Sequence, residues 1–280
     1  MSGQLVLCPT PIGNLGDISE RVLESLRAAD YIAAEDTRTS YPLLRHFGIE
    51  KPMISYHKFN ETERSSELIE KMRAGAVIAL ITDAGMPAIS DPGQILVARC
   101  HEEGIPVTAL PGPCAFVTAL ALSGFDSRRF SFEGFLPQDR KEQAEVLERL
   151  AGSTQTVIFY EAPHRLTKTL AAMAVSSGGR RCACVRELTK KFEEVRFGTV
   201  AELAAYYTEN EPRGEFVILV EGISREIIAR EKEARFAELS LEEHMALYAD
   251  LPEKEAMKRV AAERGLSKRD VYQMLKVGEK

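Results

Sequence analysis

The sequence predicts an α/β protein of two successive α/β domains followed by a small helical tail, and three observations carry that reading. Short apolar runs alternate with amphipathic stretches through residues 1–123, from residue 124 some runs are joined by short polar links, and after residue 224 strand signals stop. The expected domains are 1–123 with a mostly parallel sheet, 124–224 with a mixed sheet, and 225–280 as helices, the last resembling a helix-turn-helix.

In the first domain, residues 5–8 form a short apolar strand, and Asp17 with Glu20 has capping-box spacing ahead of an amphipathic helix over 18–29. Residues 31–34 are the next strand, followed by a helix that Gly48 ends; a strand over 53–56 and a helix over 61–73, closed by Gly75, come next. Residues 76–82 are apolar without a period of two, the pattern of a strand buried on both faces of a parallel sheet. Asp91-Pro92 has the form of a capping side chain before a proline at the first helical position, and the helix it opens stops at Gly104 before a strand over 107–110.

The second domain reads as strands over 130–135, 156–160, 183–188, 195–199 and 215–221, with helices over 140–151, 163–176 and 201–209. Residues 190–194 are too short a link for anything but an antiparallel hairpin, so this sheet is mixed. In the tail, Ser240 with Glu243 and Ser267 with Asp270 have capping-box spacing, and Gly265 ends a helix beginning near Ala256.

The chain has 280 residues, 45% apolar and 28% charged, enough for a sizeable core without a staple. Its five cysteines include no CxxC pair and no histidine at zinc-finger spacing, and no apolar run approaches the ~20 residues that cross a bilayer. A cytoplasmic protein with no metal and no membrane partner is expected. The net charge of −6 argues against indiscriminate nucleic-acid coating, although residues 252–280 hold 8 basic and 5 acidic side chains.

Ligands of open parallel sheets sit beyond the carboxyl ends of the strands. Three long, proline- and glycine-rich loops follow strands there, at 9–17, 83–93 and 111–115. Each alone reads as a turn or helix cap; three together favour a site. GxGxxG, P-loop, G-x-S-x-G and H-E-x-x-H patterns are all missing, which sets aside dinucleotide, ATP, serine-hydrolase and zinc chemistry. Glu35, Asp36 and Arg38 follow the second strand and His57, Lys58 and Asn60 the third, at the same sheet edge; a surface salt-bridge cluster and a helix cap at Asn60 are their plainer readings.

The segments PTPIGNLGDIS, AAEDTRTS, ITDAGMPAISDPG, PGPCA, FEGFLP and FYEAPHR, in this order, make the chain resemble the ribosomal RNA small subunit methyltransferase I family of the tetrapyrrole methylase superfamily. The resemblance covers about residues 4–222 and implies the two-domain tetrapyrrole-methylase-like (class III methyltransferase) fold. It implies S-adenosylmethionine as methyl donor, a cytidine ribose 2′-hydroxyl of 16S rRNA in the small ribosomal subunit as acceptor, and a homodimer. It also implies donor contacts from Pro11, Asp83, Ala84, Gly85, Ile89 and Ala115, with Phe135, Leu136 and Tyr160 from the second domain. Superfamily relatives acting on tetrapyrroles commonly carry Gly-Asp-Pro where this chain has Asp83-Ala-Gly-Met-Pro87, which favours RNA over a porphyrin.

A ribose hydroxyl is a poor nucleophile until its proton is removed, and His57, Glu35 and Asp36 are the candidate bases; positioning alone is the alternative. Arg38, Lys58, Arg64, Arg165, Lys190 and Lys191 are candidate phosphate contacts, with Lys254, Lys258, Arg259, Arg264, Lys268 and Arg269 as a second docking surface in the tail. Two rivals are a methyltransferase of the same fold acting on a tetrapyrrole or a modified protein side chain, and a non-enzymatic ligand sensor that binds nucleic acid.

Overall fold

The structure, a computed structural model, describes residues 3–224 and 239–277. The chain divides into two compact units, residues 1–151 with 155–221, and 152–154 with 222–280. Residues 225–238 and 278–280 of the expected tail lie outside the described residues.

The first unit holds two five-stranded sheets. Strands β1 (Gln4–Leu7), β2 (Tyr31–Ala34), β3 (Met53–Ser55), β4 (Val77–Ile81) and β5 (Val107–Ala109) form an all-parallel sheet in the order β3-β2-β4-β1-β5. β4 is central, and its Ile78, Ala79, Leu80 and Ile81 are fully buried, as an unbroken apolar run requires when both sheet faces are covered. Helices α1 (Glu20–Ala28), α2 (Thr37–His46), α3 (Glu61–Arg73) and α4 (Gln94–Glu102) connect these strands. One core cluster joins Val6, Ile32 and Ala79 to the α1 residues Val22, Leu23 and Leu26; the other joins Leu5, Ile78 and Leu80 to Leu68, Met72 and Leu96.

Two expected caps are replaced. Ser19, not Asp17, opens α1 by accepting from the Val22 N–H at 3.3 Å, because Asp17 is taken up in a short 3-10 turn. α4 begins at Gln94 with Gly93 at its N-cap, which frees Asp91 from the capping role. Nor does Asn60 cap α3; its side chain accepts from the His57 N–H at 2.8 Å and donates to the Ser55 carbonyl at 3.2 Å.

Helix α5 (Ala115–Ser123) follows β5 and ends on Gly124 in the left-handed region at φ 65°. Although it continues the first run of elements, it packs on the second sheet, with Ala119 and Leu120 against Ile158, Val185 and Leu219.

The second sheet has the order β6-β7-β10-β8-β9, from β6 (Phe130–Phe135), β7 (Thr156–Glu161), β8 (Arg181–Arg186), β9 (Glu194–Thr199) and β10 (Phe216–Val220). β6 and β7 are parallel; the other pairs are antiparallel, including the β8–β9 hairpin. Its other face is covered by α6 (Arg140–Gly152), α7 (Pro163–Ser177) and α8 (Val200–Glu209), whose Leu150, Leu166, Leu170 and Leu203 pack on Phe159 and Ile218.

The second unit contains α9 (Leu241–Ala246), α10 (Glu253–Glu263) and α11 (Lys268–Val277). Met257, Val260, Ala261 and Val271 form their core. Ser240 and Glu243 make a reciprocal capping box, and Gly265 at φ 64° sits in the four-residue link between α10 and α11. Among the described residues no helix is long and apolar enough to cross a membrane.

Candidate functional site

All five strands of the first sheet point the same way, so the loops after β1, β2, β4 and β5 gather at one edge. Thr10 and Gly85 exchange both backbone hydrogen bonds, at 2.9 and 3.0 Å, which ties the first loop to the fourth. Gly85 has φ 85°, and a Cβ there would meet Ile12 at 3.3 Å. Gly112 lies so close to the first loop that a Cβ would fall 2.6 Å from that of Pro9.

These loops and the second sheet enclose a cavity of about 510 Å³, a size typical of small-molecule sites. Its apolar wall includes Ile12, Met86, Ile89, Ala115, Phe135, Val185 and Val217. Among the described residues five carboxylates line it, Glu35, Asp83, Asp91, Glu161 and Glu215, and no lysine, arginine or histidine does.

Two of the five are neutralised from behind. The buried Glu161 accepts from Thr169 Oγ1 at 2.6 Å and the Ala162 N–H at 2.9 Å, and pairs with Arg165 Nε at 3.2 Å. Glu215 pairs with Lys190 Nζ at 2.8 Å. Among the described residues Glu35, Asp83 and Asp91 form no ion pair. Burial raises all three carboxyl groups above their ordinary range, and at Asp91, where the charges of Glu35 and Asp83 add to it, the value reaches about 7. Among the described residues no group of three His, Cys, Asp or Glu side chains is placed to hold a metal.

Of the residues expected to touch a donor, Asp83, Ala84, Gly85, Ile89, Ala115, Phe135 and Tyr160 line the cavity. Pro11 and Leu136 do not; Leu136 is buried in the core beneath α6 and α7. Tyr160 OH accepts from the Phe116 N–H at 3.2 Å, burial raises its pKa, and Phe132 stacks on Phe116 at 4.3 Å beside it. A half-exposed Phe135 contacts the Tyr160 ring edge-on.

Of the candidate bases, only Glu35 lines the cavity. Asp36 caps α2 by accepting from the Arg38 N–H at 2.8 Å and pairs with the Arg38 side chain at 2.7 Å, interactions that lower its pKa to about 2. His57 stands against Asn60, which donates to its Nε2 at 3.2 Å, and is outside the cavity wall. Asp91 was hidden in the sequence because Asp-Pro before a helix reads as a cap.

Among the candidate cations, Arg38 and Arg64 pair at the surface with Asp36 and Glu67, Lys58 is exposed, and Lys191 lies over the Phe192 ring at 5.6 Å. Arg165 and Lys190 are committed internally. Arg165 joins Glu161 and the Leu136 carbonyl, and Lys190 bridges Glu187 and Glu215. In the tail, Arg264 donates to His244 Nδ1 at 3.0 Å and to the Leu239 and Ser240 carbonyls; Lys254, Lys258, Arg259, Lys268 and Arg269 are exposed.

The sequence matches the Tetrapyrrole (Corrin/Porphyrin) Methylases over residues 4–204. It is 44% identical over 272 residues to a protein of Bacillus subtilis (strain 168) named ribosomal RNA small subunit methyltransferase I, covering 96% of this chain and 93% of that one. It is 44% identical over 275 residues to the protein of that name from Synechocystis sp., covering 97% of each. A crystal structure of diphthine synthase shares the fold, with a TM-score of 0.63 and 15% identity over 79% of this chain and 90% of that one. The chain therefore belongs to the tetrapyrrole methylase family of methyltransferases, within the ribosomal RNA small subunit methyltransferase I group.

Proposed function

We infer that the protein transfers a methyl group from S-adenosylmethionine to the ribose 2′-hydroxyl of a cytidine in 16S rRNA of the small ribosomal subunit. The observation that carries this reading is identity of 44% along nearly the whole chain to proteins named for methylation of small-subunit RNA. The cavity suits the donor. Its apolar wall accepts a purine, and its carboxylates, with no basic side chain among the lining residues, favour a ligand bearing sulfonium and ammonium charges. When bound, the donor supplies an electrophilic methyl on a positively charged sulfur.

In this reading Gly85 and Ala84 bring backbone against the donor, Ile89, Ala115 and Phe135 pack on it, and Asp83 faces its positive charge. The protein's task is then to align the acceptor hydroxyl with the methyl and to exclude water. Exposed Arg38, Lys58 and Lys191, with the partly exposed Arg64, hold RNA phosphates, and the tail cations add a second contact. The protein acts as a cytoplasmic homodimer. Support for the dimer comes from α5, apolar on all sides, which leaves Val117 49% and Leu122 45% exposed; support for the compartment comes from five cysteines that are all unpaired.

The test is incubation with methyl-labelled S-adenosylmethionine and small subunits lacking the modification, followed by alkaline digestion. Label in an alkali-resistant dinucleotide is the expected result, since a methylated 2′-oxygen cannot cleave the chain. Label in mononucleotides overturns the ribose acceptor. Donor binding without transfer to RNA supports a sensor or a different acceptor.

A further inference from the structure

Methyl transfer to a ribose hydroxyl leaves a proton to be placed; Glu35, Asp83 and Asp91 are the cavity carboxylates without an ion pair among the described residues, and the proposed reading turns Asp83 to the donor's positive charge. Asp91 lines the cavity with Glu35 and Asp83. The remaining acidic side chains nearby are engaged: Glu161 by Arg165 and Thr169, Glu215 by Lys190, and Asp36 by Arg38. Glu35 accepts from the Asp83 N–H at 3.4 Å.

The segment between β4 and α4 is shaped to present Asp91. Ala88 and Ser90 both lie in the left-handed region, at φ 67° and 63°, and the Ala88 N–H reaches back to the Pro92 carbonyl at 3.2 Å. Beyond Asp91, the Gly93 N–H donates to Glu61 Oε1 at 2.9 Å, so α3 anchors the start of α4. The carboxylate is thereby released from capping and set on the cavity wall.

Resting on the proposed reading, we propose that Asp91 is the catalytic residue that accepts the proton of the ribose 2′-hydroxyl. As Asp91 takes the proton, the ribose oxygen bonds to the methyl carbon. The carbon–sulfur bond breaks with its electron pair left on sulfur. The sulfonium becomes a thioether and the carboxylate an acid, so one positive and one negative charge vanish together. That neutralisation is favoured in a largely apolar enclosure. Asp91 returns its proton to water once the products leave.

The groups facing Asp91 set its proton affinity. They are Glu35 from the end of β2, Thr82 and Asp83 from the end of β4, and Tyr160 from β7. Burial and the two carboxylates bring Asp91 to about 7, where a base is effective at neutral pH. A bound cationic donor moves it lower; losing that cation in the reaction raises its proton affinity again.

The test compares wild type, Asp91→Asn and Asp91→Glu. Carbon-13 NMR of the free protein is expected to show one aspartate titrating near 7 that disappears in Asp91→Asn. Asp91→Asn is expected to lower kcat at saturating donor and RNA by about 100-fold or more. It should weaken donor Kd by far less than it lowers kcat, and lose the acid limb of the wild-type rate profile. Asp91→Glu is expected to recover at least about tenfold of the loss. A kcat within about 3-fold of wild type with the limb intact overturns the role of Asp91, as does a defect confined to donor Kd. If Asp91→Asn does not fold, Asp91→Glu decides: a wild-type limb left unshifted overturns the proposal. Wild-type protein that methylates no RNA overturns the underlying reading instead, a distinct result.

Discussion

Arg165 donates to the Leu136 carbonyl while its Nε pairs with the buried Glu161, so one guanidinium joins the end of β6 to the β7–α7 junction. Phe135, next to Leu136, and Glu161 through Pro163 all line the cavity. Arg165 thus fixes the second-sheet wall of the site from behind.

Replacing Arg165 by Ala leaves Glu161 buried without its cation, a loss of about 3–5 kcal/mol. Thermal denaturation should show it as a clear drop in Tm. The salt slope of RNA binding should stay unchanged, whereas removal of a true phosphate contact lowers that slope by about 1.

Gly85→Ala places a Cβ at φ 85° and 3.3 Å from Ile12. Strain of about 1–3 kcal/mol is expected, and because the Thr10–Gly85 bridge shapes the cavity floor, calorimetry should show weaker donor binding.

The Asp36 cap carries a pH signature. Its pKa is lowered to about 2 in the folded chain, so its contribution is present above about pH 4 and lost as pH falls toward 2. Asp36→Ala should destabilise the chain at neutral pH through loss of the helix cap, with the difference shrinking in acid when unfolding is followed by circular dichroism.

Asp91 has the opposite sign. Its folded value of about 7 exceeds that of the unfolded chain, so the folded state binds the proton more tightly and stability falls as pH rises from about 4 to about 7. Asp91→Asn should therefore gain stability relative to wild type between pH 4.5 and 8. Denaturant midpoints at those two values check it.

On α11, Arg269, Tyr272 and Gln273 form an exposed stripe at helical spacing, beside Lys268 at the first turn. A Lys268→Glu, Arg269→Glu variant should weaken RNA binding and lower its salt slope by about 1–2, with donor affinity unchanged. An unaltered slope would remove the tail from the RNA interface.

Sequence alone was sufficient wherever a local pattern had one physical solution. The unbroken apolar run at β4 fits only a strand covered on both faces, and the link at residues 190–194 is too short for a crossover. Ser240 with Glu243 needed only their spacing to form a capping box. Tertiary structure decided what depends on partners distant in the chain. Asp91 and Asn60 satisfy the local rules for caps, yet the fold sets Asp91 on the cavity wall and turns Asn60 toward His57 and Ser55. Arg165, Lys190 and Arg38 are equally basic in the sequence, and only packing pairs Arg165 with the buried Glu161 and Lys190 with Glu187 and Glu215 while leaving Arg38 at the surface. The composition of a segment fixes which local structures it can adopt; the charge and burial of the groups packed against it fix what each side chain does there.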